Sequence, residues 1–266
     1  MRHGLFIAPF GELADPLVLA ELAASAEARG FDGIFLWDHV DRPHHDELAV
    51  PDSWIALAAI ATRTTRLRLG PMVTPLSRRR PQHVARQATT LDHLSRGRLV
   101  LGVGLGVDTG GELTKFGEVL DERTRAEMLD ESLDLIDKLW SGERITHQGK
   151  HYQADDVRFR PRPLQEPRVP IWVAARSVRP GPLRRAARLD GLFPLTSPEG
   201  LTEMLGEIER VRGSLDRYEV ACTGEPEEDP TPFQRAGATW WLTALPEIET
   251  ADHAAAVIDD GPRTRG

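Results

Sequence analysis

Cysteine is almost missing from this chain: Cys222 is the only one among 266 residues. A single thiol cannot close an intrachain disulfide, and such a chain suits a reducing compartment. With no lysine or histidine beside it in sequence to activate it, Cys222 reads as a small buried apolar residue. No run approaches eighteen consecutive apolar residues, which excludes a membrane-spanning helix. The opening "MRHGLFIAPFGELADP" turns acidic too early for a signal peptide, so the expected location is cytoplasmic. Basic stripes are absent as well. A net charge of -8 and a pI near 5.6 argue against a nucleic-acid surface.

A dinucleotide fingerprint is also missing, although "RLVLGVGLGVDTGG" (98–111) imitates one. Counting G-x-G-x-x-G from Gly102 puts Val107 at the third glycine, and counting from Gly104 puts Thr109 there. These glycines therefore need another role. What is present is ordinary for a globular chain: 40% hydrophobic and 28% charged, enough for one large domain with a real core.

The chain repeats a strand–helix unit. "GLFIAPF" (4–10), "GIFLW" (33–37), "RLRLGPMV" (66–73) and "RLVLGV" (98–103) read as the first four strands. Asp15 caps a helix opened by Pro16 and stopped by Gly30; Asp52 or Ser53 caps the next; a third starts near Pro81 and ends at Gly97. Leu129, Leu133, Ile136 and Trp140 mark a fourth helix. A proline-rich excursion follows, with a hairpin at "THQGKHYQ". "IWVAA" (171–175), "DGLFPL" (190–195), "RYEVACT" (217–223) and "ATWWLTA" (238–244) resume the alternation. Eight such units predict a single-domain (β/α)8 barrel over 1–260, with its excursion between the fourth helix and fifth strand and a disordered tail at 261–266. An open doubly wound sheet is the alternative, but it normally has fewer strands at this length.

In such a barrel the active site forms where the strands' carboxyl ends meet their loops. Those ends carry few charges, several small residues and several aromatics, a lining suited to a large flat ligand approached by backbone. His39 is the best candidate for proton transfer, and Asp38 beside it is the second catalytic candidate, although adjacent strand residues face opposite ways. "DHVDRPHHDE" (38–47) invites a metal, yet the first strand has no His-x-His pair and the fourth to sixth strands end without His, Asp or Glu, so no metal is expected. Arg176 and Ser177, ahead of a helix, suit a phosphate. Trp37 and Trp241 are candidate substrate-pocket walls.

Taken in order, "GFDGIFLWDHV", "LRLGPMVTPLSRRRPQHVARQATTLDHLSRGRLVLGVGLG", "KFGE", "LDESLDLIDKLWSGE", "GKHYQ" and "PIWVAARS" resemble the bacterial luciferase-like family of flavin-dependent oxidoreductases. The likeness runs from about residue 4 to 195. It implies a (β/α)8 barrel that binds reduced FMN, or the related 5-deazaflavin coenzyme, at its mouth. It places His39 as the acid/base near the ring's reactive edge. Ala8, Met72 and Val73, with a non-prolyl cis peptide common in the family, would sit behind the ring, with Gly104 and Gly106 close to it. Ala174, Ala175, Arg176 and Ser177 would meet the phosphate. Two departures stand out: Val107 replaces a glutamate found in deazaflavin-dependent sugar-phosphate dehydrogenases, and Ala174-Ala175 replaces paired glycines. The reading that follows is a monooxygenase using oxygen and reduced FMN from a separate reductase on a small organic substrate. Its rivals are deazaflavin-dependent hydride transfer, a non-catalytic flavin-binding barrel, and a metallohydrolase. Family habit adds a homodimer.

Overall fold

The computed structural model describes residues 1–41, 48–247 and 249–262. The strands are β1 (Arg2–Ile7), β2 (Gly33–Leu36), β3 (Arg68–Pro71), β4 (Thr74–Pro75), β5 (Leu101–Gly104), β6 (Arg144–Gln148), β7 (Gln153–Arg158), β8 (Ile171–Ala175), β9 (Gly191–Pro194), β10 (Glu219–Gly224) and β11 (Trp240–Ala244). All but β6 and β7 form one parallel sheet in the order β3-β2-β1-β11-β10-β9-β8-β5-β4. β3 and β4 are two halves of one barrel strand, separated at Met72–Val73, whose peptide bond is cis. β4 pairs with β5, and a Leu69–Leu99 bridge joins β3 to the segment leading into β5, so the sheet closes on itself. Eight barrel positions result, as the alternation predicts.

Among the described residues eight α-helices surround it: α1 (Pro16–Ala28), α2 (Ser53–Arg63), α3 (Pro81–Leu94), α4 (Glu122–Trp140), α5 (Pro180–Arg188), α6 (Pro198–Arg212), α7 (Thr231–Arg235) and α8 (Ala251–Asp259). The expected caps form. Asp15 accepts from the Leu17 N–H and Asp52 from the Ile55 N–H, while the Ser53 hydroxyl donates to the Trp37 carbonyl instead. The excursion is the antiparallel β6–β7 hairpin between α4 and β8. The fourth barrel strand starts three residues later than its apolar pattern suggests. Arg98 is the reason: its guanidinium donates to the carbonyls of Ala61, Thr64, Leu67 and Ser95 and ties the chain to the end of α2. Part of the histidine-rich loop (42–47) and the end of the tail (263–266) lie outside the described residues.

Strand alternation sorts the side chains into two cores. Outward-facing residues such as Leu5, Ile34, Leu69 and Val173 join the helices in the outer core. Inward-facing Phe6, Phe35, Met72, Trp172, Phe193 and Trp240 fill the barrel. Glycines on the inner face make that filling fit. A Cβ on Gly102 would meet the Met72 sulfur at 2.7 Å, one on Gly4 the Leu242 side chain at 2.9 Å, and one on Gly33 the Trp240 ring at 3.0 Å. The barrel thus alternates absent side chains with very large ones. No helix among the described residues is long and apolar enough to cross a membrane.

Gly70 tests this account. A Cβ there would fall on the Val100 carbonyl oxygen, backbone that cannot turn aside. Gly70→Ala should lose at least about 3 kcal/mol in urea unfolding. Gly206→Ala, in α6 with nothing within 4 Å of the new methyl, should instead gain roughly 0.5–1 kcal/mol.

Candidate functional site

The residue types that end β2 decide the chemistry of the mouth. Trp37 continues the inward face of Phe35, and the chain then turns outward through Asp38 and His39. Asp38 does not reach the imidazole. Its carboxylate, 1% exposed, accepts from the Thr74 hydroxyl at 2.7 Å and from Arg79 at 2.7 Å. Thr74 in turn accepts from the Trp54 indole N–H at 3.2 Å. Asp38 therefore ties β2 to β4 and the segment after it, a positioning task that fits none of the proton-transfer roles expected from its place in the sequence.

His39 is held by a residue that no motif marked. Nδ1 lies 2.7 Å from Oε2 of Glu112, in the long loop after β5. The other oxygen, Oε1, accepts from the Val40 N–H at 2.6 Å, the Asp41 N–H at 3.3 Å and Arg78 at 2.9 Å. Arg78 and Glu112 are each only 5% exposed. Lys115 reaches back to Asp41 at 3.0 Å, so the loop after β5 is stitched to the end of β2 at two points. Burial pushes the Glu112 carboxyl upward. Hydrogen bonds from His39 and the Val40 N–H, with the His39 and Arg78 charges, outweigh it and lower its pKa to about 2. An ionised carboxylate only accepts, so Nδ1 carries the proton, and whenever the ring is neutral Nε2 is the acceptor. Nε2 has no hydrogen bond among the described residues, and the ring is 17% exposed. Phe10 and Trp37 flank it with ring centroids at 5.8 and 5.7 Å.

Below this imidazole the barrel offers a shallow apolar shelf. Trp37, Val73, Ala174 and Ala244 are partly buried against the sealed interior. Gly104 keeps the shelf flat: a Cβ there would strike Val73 Cγ2 at 2.6 Å and approach the Ala174 methyl at 3.6 Å. Gly106 adopts φ +74°, a backbone conformation that disfavours side chains, and Arg125 holds that turn through the carbonyls of Leu105 and Gly106. Met72 is buried, its sulfur over Gly102, and Ala8 is buried just past β1.

Other expected positions fall elsewhere. Trp241 is no wall of the mouth: it packs outward against Phe233 of α7, ring centroids 5.5 Å apart. Its neighbour Trp240 takes the inward direction, because strand neighbours face opposite ways. Ala175 points outward for the same reason, leaving Ala174 on the shelf. Arg176 is exposed and makes no ion pair among the described residues, with half-buried Ser177 beside it before α5. Pro180 and Pro182 lack N–H groups, so Gly181 supplies the free donor of that helix start. Among the described residues no group of three or more His, Cys, Asp or Glu side chains is disposed to hold a metal.

Comparison with known proteins bears on this geometry. A family model described as luciferase-like monooxygenase matches residues 9–226. An F420-dependent glucose-6-phosphate dehydrogenase of Nakamurella multipartita is 38% identical over 183 residues, covering 68% of this chain and 52% of that protein. Its counterpart in Microbacterium testaceum is 34% identical over 227 residues, 80% of this chain and 66% of that one. The chain thus spans between half and two thirds of these curated relatives. Among solved structures, an F420-dependent secondary alcohol dehydrogenase holding an F420-acetone adduct superposes with TM-score 0.83 at 19% identity, covering 98% of each chain. The monooxygenase RslO1 from Streptomyces bottropensis superposes at 0.79 with 20% identity, covering 97% of each. Likeness of fold therefore does not separate the two chemistries.

The Glu112 carboxylate makes stability depend on acid. Its folded pKa of about 2 lies below the ordinary 4.5, so its contribution is complete above pH 4.5 and disappears as pH falls toward 2. Glu112→Gln should cost roughly 3 kcal/mol at pH 7 by that linkage. The difference from the parent should vanish at the acid end of a series of urea titrations. Parallel stability curves for the two proteins across that range would rule the linkage out.

Proposed function

Since the chain belongs to the luciferase-like monooxygenase family, we propose that it is an oxidoreductase dependent on the 5-deazaflavin coenzyme F420, passing a hydride between that coenzyme and an alcohol–carbonyl pair. The observation that carries the reading is the polarised His39: Nδ1–H held by an ionised, buried Glu112, with Nε2 left open at the mouth. That is the state a base needs to take the proton of a hydroxyl as its carbon is oxidised. In the reverse direction the imidazolium returns the proton to a carbonyl oxygen. The cofactor is supported by the curated relatives, which are F420-dependent. The deazaflavin alternative therefore displaces the expectation of reduced FMN, oxygen and a separate reductase.

The residues fit a planar ring system. Val73, Gly104, Gly106 and Ala174 would hold it on the shelf, where a side chain at Gly104 would intrude. Arg176, Ser177 and the Gly181 N–H would take its phosphate. When bound, F420 supplies a carbon centre that accepts or returns a hydride, two electrons with one hydrogen nucleus. The remainder of the balance is a proton, and His39 holds it. Arg78 and Glu112 keep the imidazole from rotating, and Phe10 and Trp37 limit water beside it.

Anaerobic titration with F420, FMN and FAD, each oxidised and reduced, tests the cofactor through its absorbance and fluorescence. F420 is expected to bind in preference to both flavins. Tight binding of reduced FMN with oxygen consumption would restore the monooxygenase reading. His39→Ala should lower kcat roughly 100- to 10,000-fold while leaving F420 binding unchanged. Equal losses of binding and turnover would make His39 a ligand contact and not the proton carrier.

A further inference from the structure

We propose that the site takes an uncharged, mainly hydrocarbon alcohol, or the carbonyl it forms, and turns phosphorylated sugars away; this rests on the hydride-transfer reading above. The first observation is where apolar side chains meet solvent. Half of the exposed large hydrophobic residues sit in the loops that follow barrel strands: Val40 after β2, Val107, Phe116 and Leu120 after β5, Val178 after β8 and Leu195 after β9. Phe116 is 60% exposed, Leu120 55% and Val40 51%. These loops are much less than half of the chain, so the apolar rim is concentrated there. The Glu112 and Lys115 contacts hold the Val40 end of the rim beside the loop that carries Phe116, close to His39. A hydrocarbon chain leaving the imidazole therefore meets carbon on the shelf and again on the rim.

The second observation is charge. The loops after β10 and β11 carry Glu225, Glu227, Glu228, Asp229, Glu247 and Glu249 and no basic residue. Most cations of the mouth are already engaged: Arg78 with Glu112, Arg79 with Asp38, Lys115 with Asp41, and Arg125 with two carbonyls. Arg80, at the start of α3, lies within electrostatic reach of Tyr152 on the hairpin side. Among the described residues Arg176 and Arg179 stand together after β8 without an ion pair, where the cofactor's own phosphate is proposed to lie. A phosphorylated substrate would find no second pair of unengaged cations in the described part of the mouth, and the acidic loops after β10 and β11 add negative charge on that side, with Glu249 buried against His253. Val107, 40% exposed on the rim, adds carbon there.

Isothermal calorimetry with the secondary alcohols from butan-2-ol to octan-2-ol, and with glucose 6-phosphate, tests the inference on the protein with and without F420. Cofactor fluorescence reports F420 binding separately. Each added methylene should tighten binding about fourfold. The same alcohols should reduce F420, glucose 6-phosphate should do neither, and Phe116→Ser with Leu120→Ser should flatten the chain-length series with F420 binding unchanged. Tighter binding of glucose 6-phosphate than of hexan-2-ol, or a Kd indifferent to chain length, would overturn the substrate assignment even where F420 binds. Failure of F420 to bind would overturn the cofactor reading, while the chain-length series would still decide the substrate class.

Discussion

The buried carboxylate of Glu112 is the constraint on which the rest of the mouth depends. It accepts from the His39 ring, two backbone N–H groups and the Arg78 guanidinium, so an ionised group 5% exposed has its acceptor positions filled. A buried charge of this kind is tolerable only when so paired. The geometry it imposes is wider than the pair. The loop after β5 must cross the β3/β4 strand to reach the end of β2, and Asp38, Thr74 and Arg79 brace the same junction from the other side. Three successive barrel strands are thereby locked at their carboxyl ends. The imidazole is aimed as a by-product of that locking.

The shape of the shelf has a different origin, set lower in the barrel. Phe35, Trp172 and Trp240 crowd the floor with ring centroids 5.4 to 6.0 Å apart, and Gly33 and Gly191 yield the room they need. Above these rings stand the small side chains of Val73, Ala174 and Ala244, with Trp37 at the end of β2. The interior is full where it confers stability and shallow where a ligand enters. The glycines of β5 serve both levels: Gly102 accommodates the Met72 side chain, and Gly104 keeps the surface flat.

Much of this was legible because buried parallel strands read as apolar runs, and because Asp15, Pro16 and Asp52 announce helix starts in the chain itself. The hairpin showed in "THQGKHYQ" for the same local reason. What was not legible is what depends on pairing across the barrel. Glu112 is 73 residues from His39 and sits in an irregular loop, where no spacing rule links an acid to an imidazole. The choice between Trp240 and Trp241 turns on strand parity, and two adjacent tryptophans carry no mark of which faces inward. Arg98 looked like the first residue of a strand and instead belongs to the junction with α2. The cofactor was unreadable for a deeper reason: an F420-dependent dehydrogenase and a monooxygenase share this one scaffold.

The distribution of charge around the mouth orders the site further. Among the described residues, Arg176 and Arg179 stand without ion pairs after β8, carboxylates cluster after β10 and β11, and exposed carbon lies at Val40 after β2 and at Val107, Phe116 and Leu120 after β5. A ligand bearing both a flat ring and a phosphate has one orientation that satisfies this field, with its anion toward Arg176 and its ring on the shelf under His39. The reverse orientation would bring the anion among the glutamates and leave Arg176 without a counterion. In the proposed orientation the sector near Val40, Phe116 and Leu120, beside His39, stays free for a substrate. Among the described residues that sector is lined mainly by carbon, with the His39 ring beside it. The same barrel can host phosphorylated or hydrocarbon substrates without changing its core, because the residues that distinguish them lie in loops the core does not use.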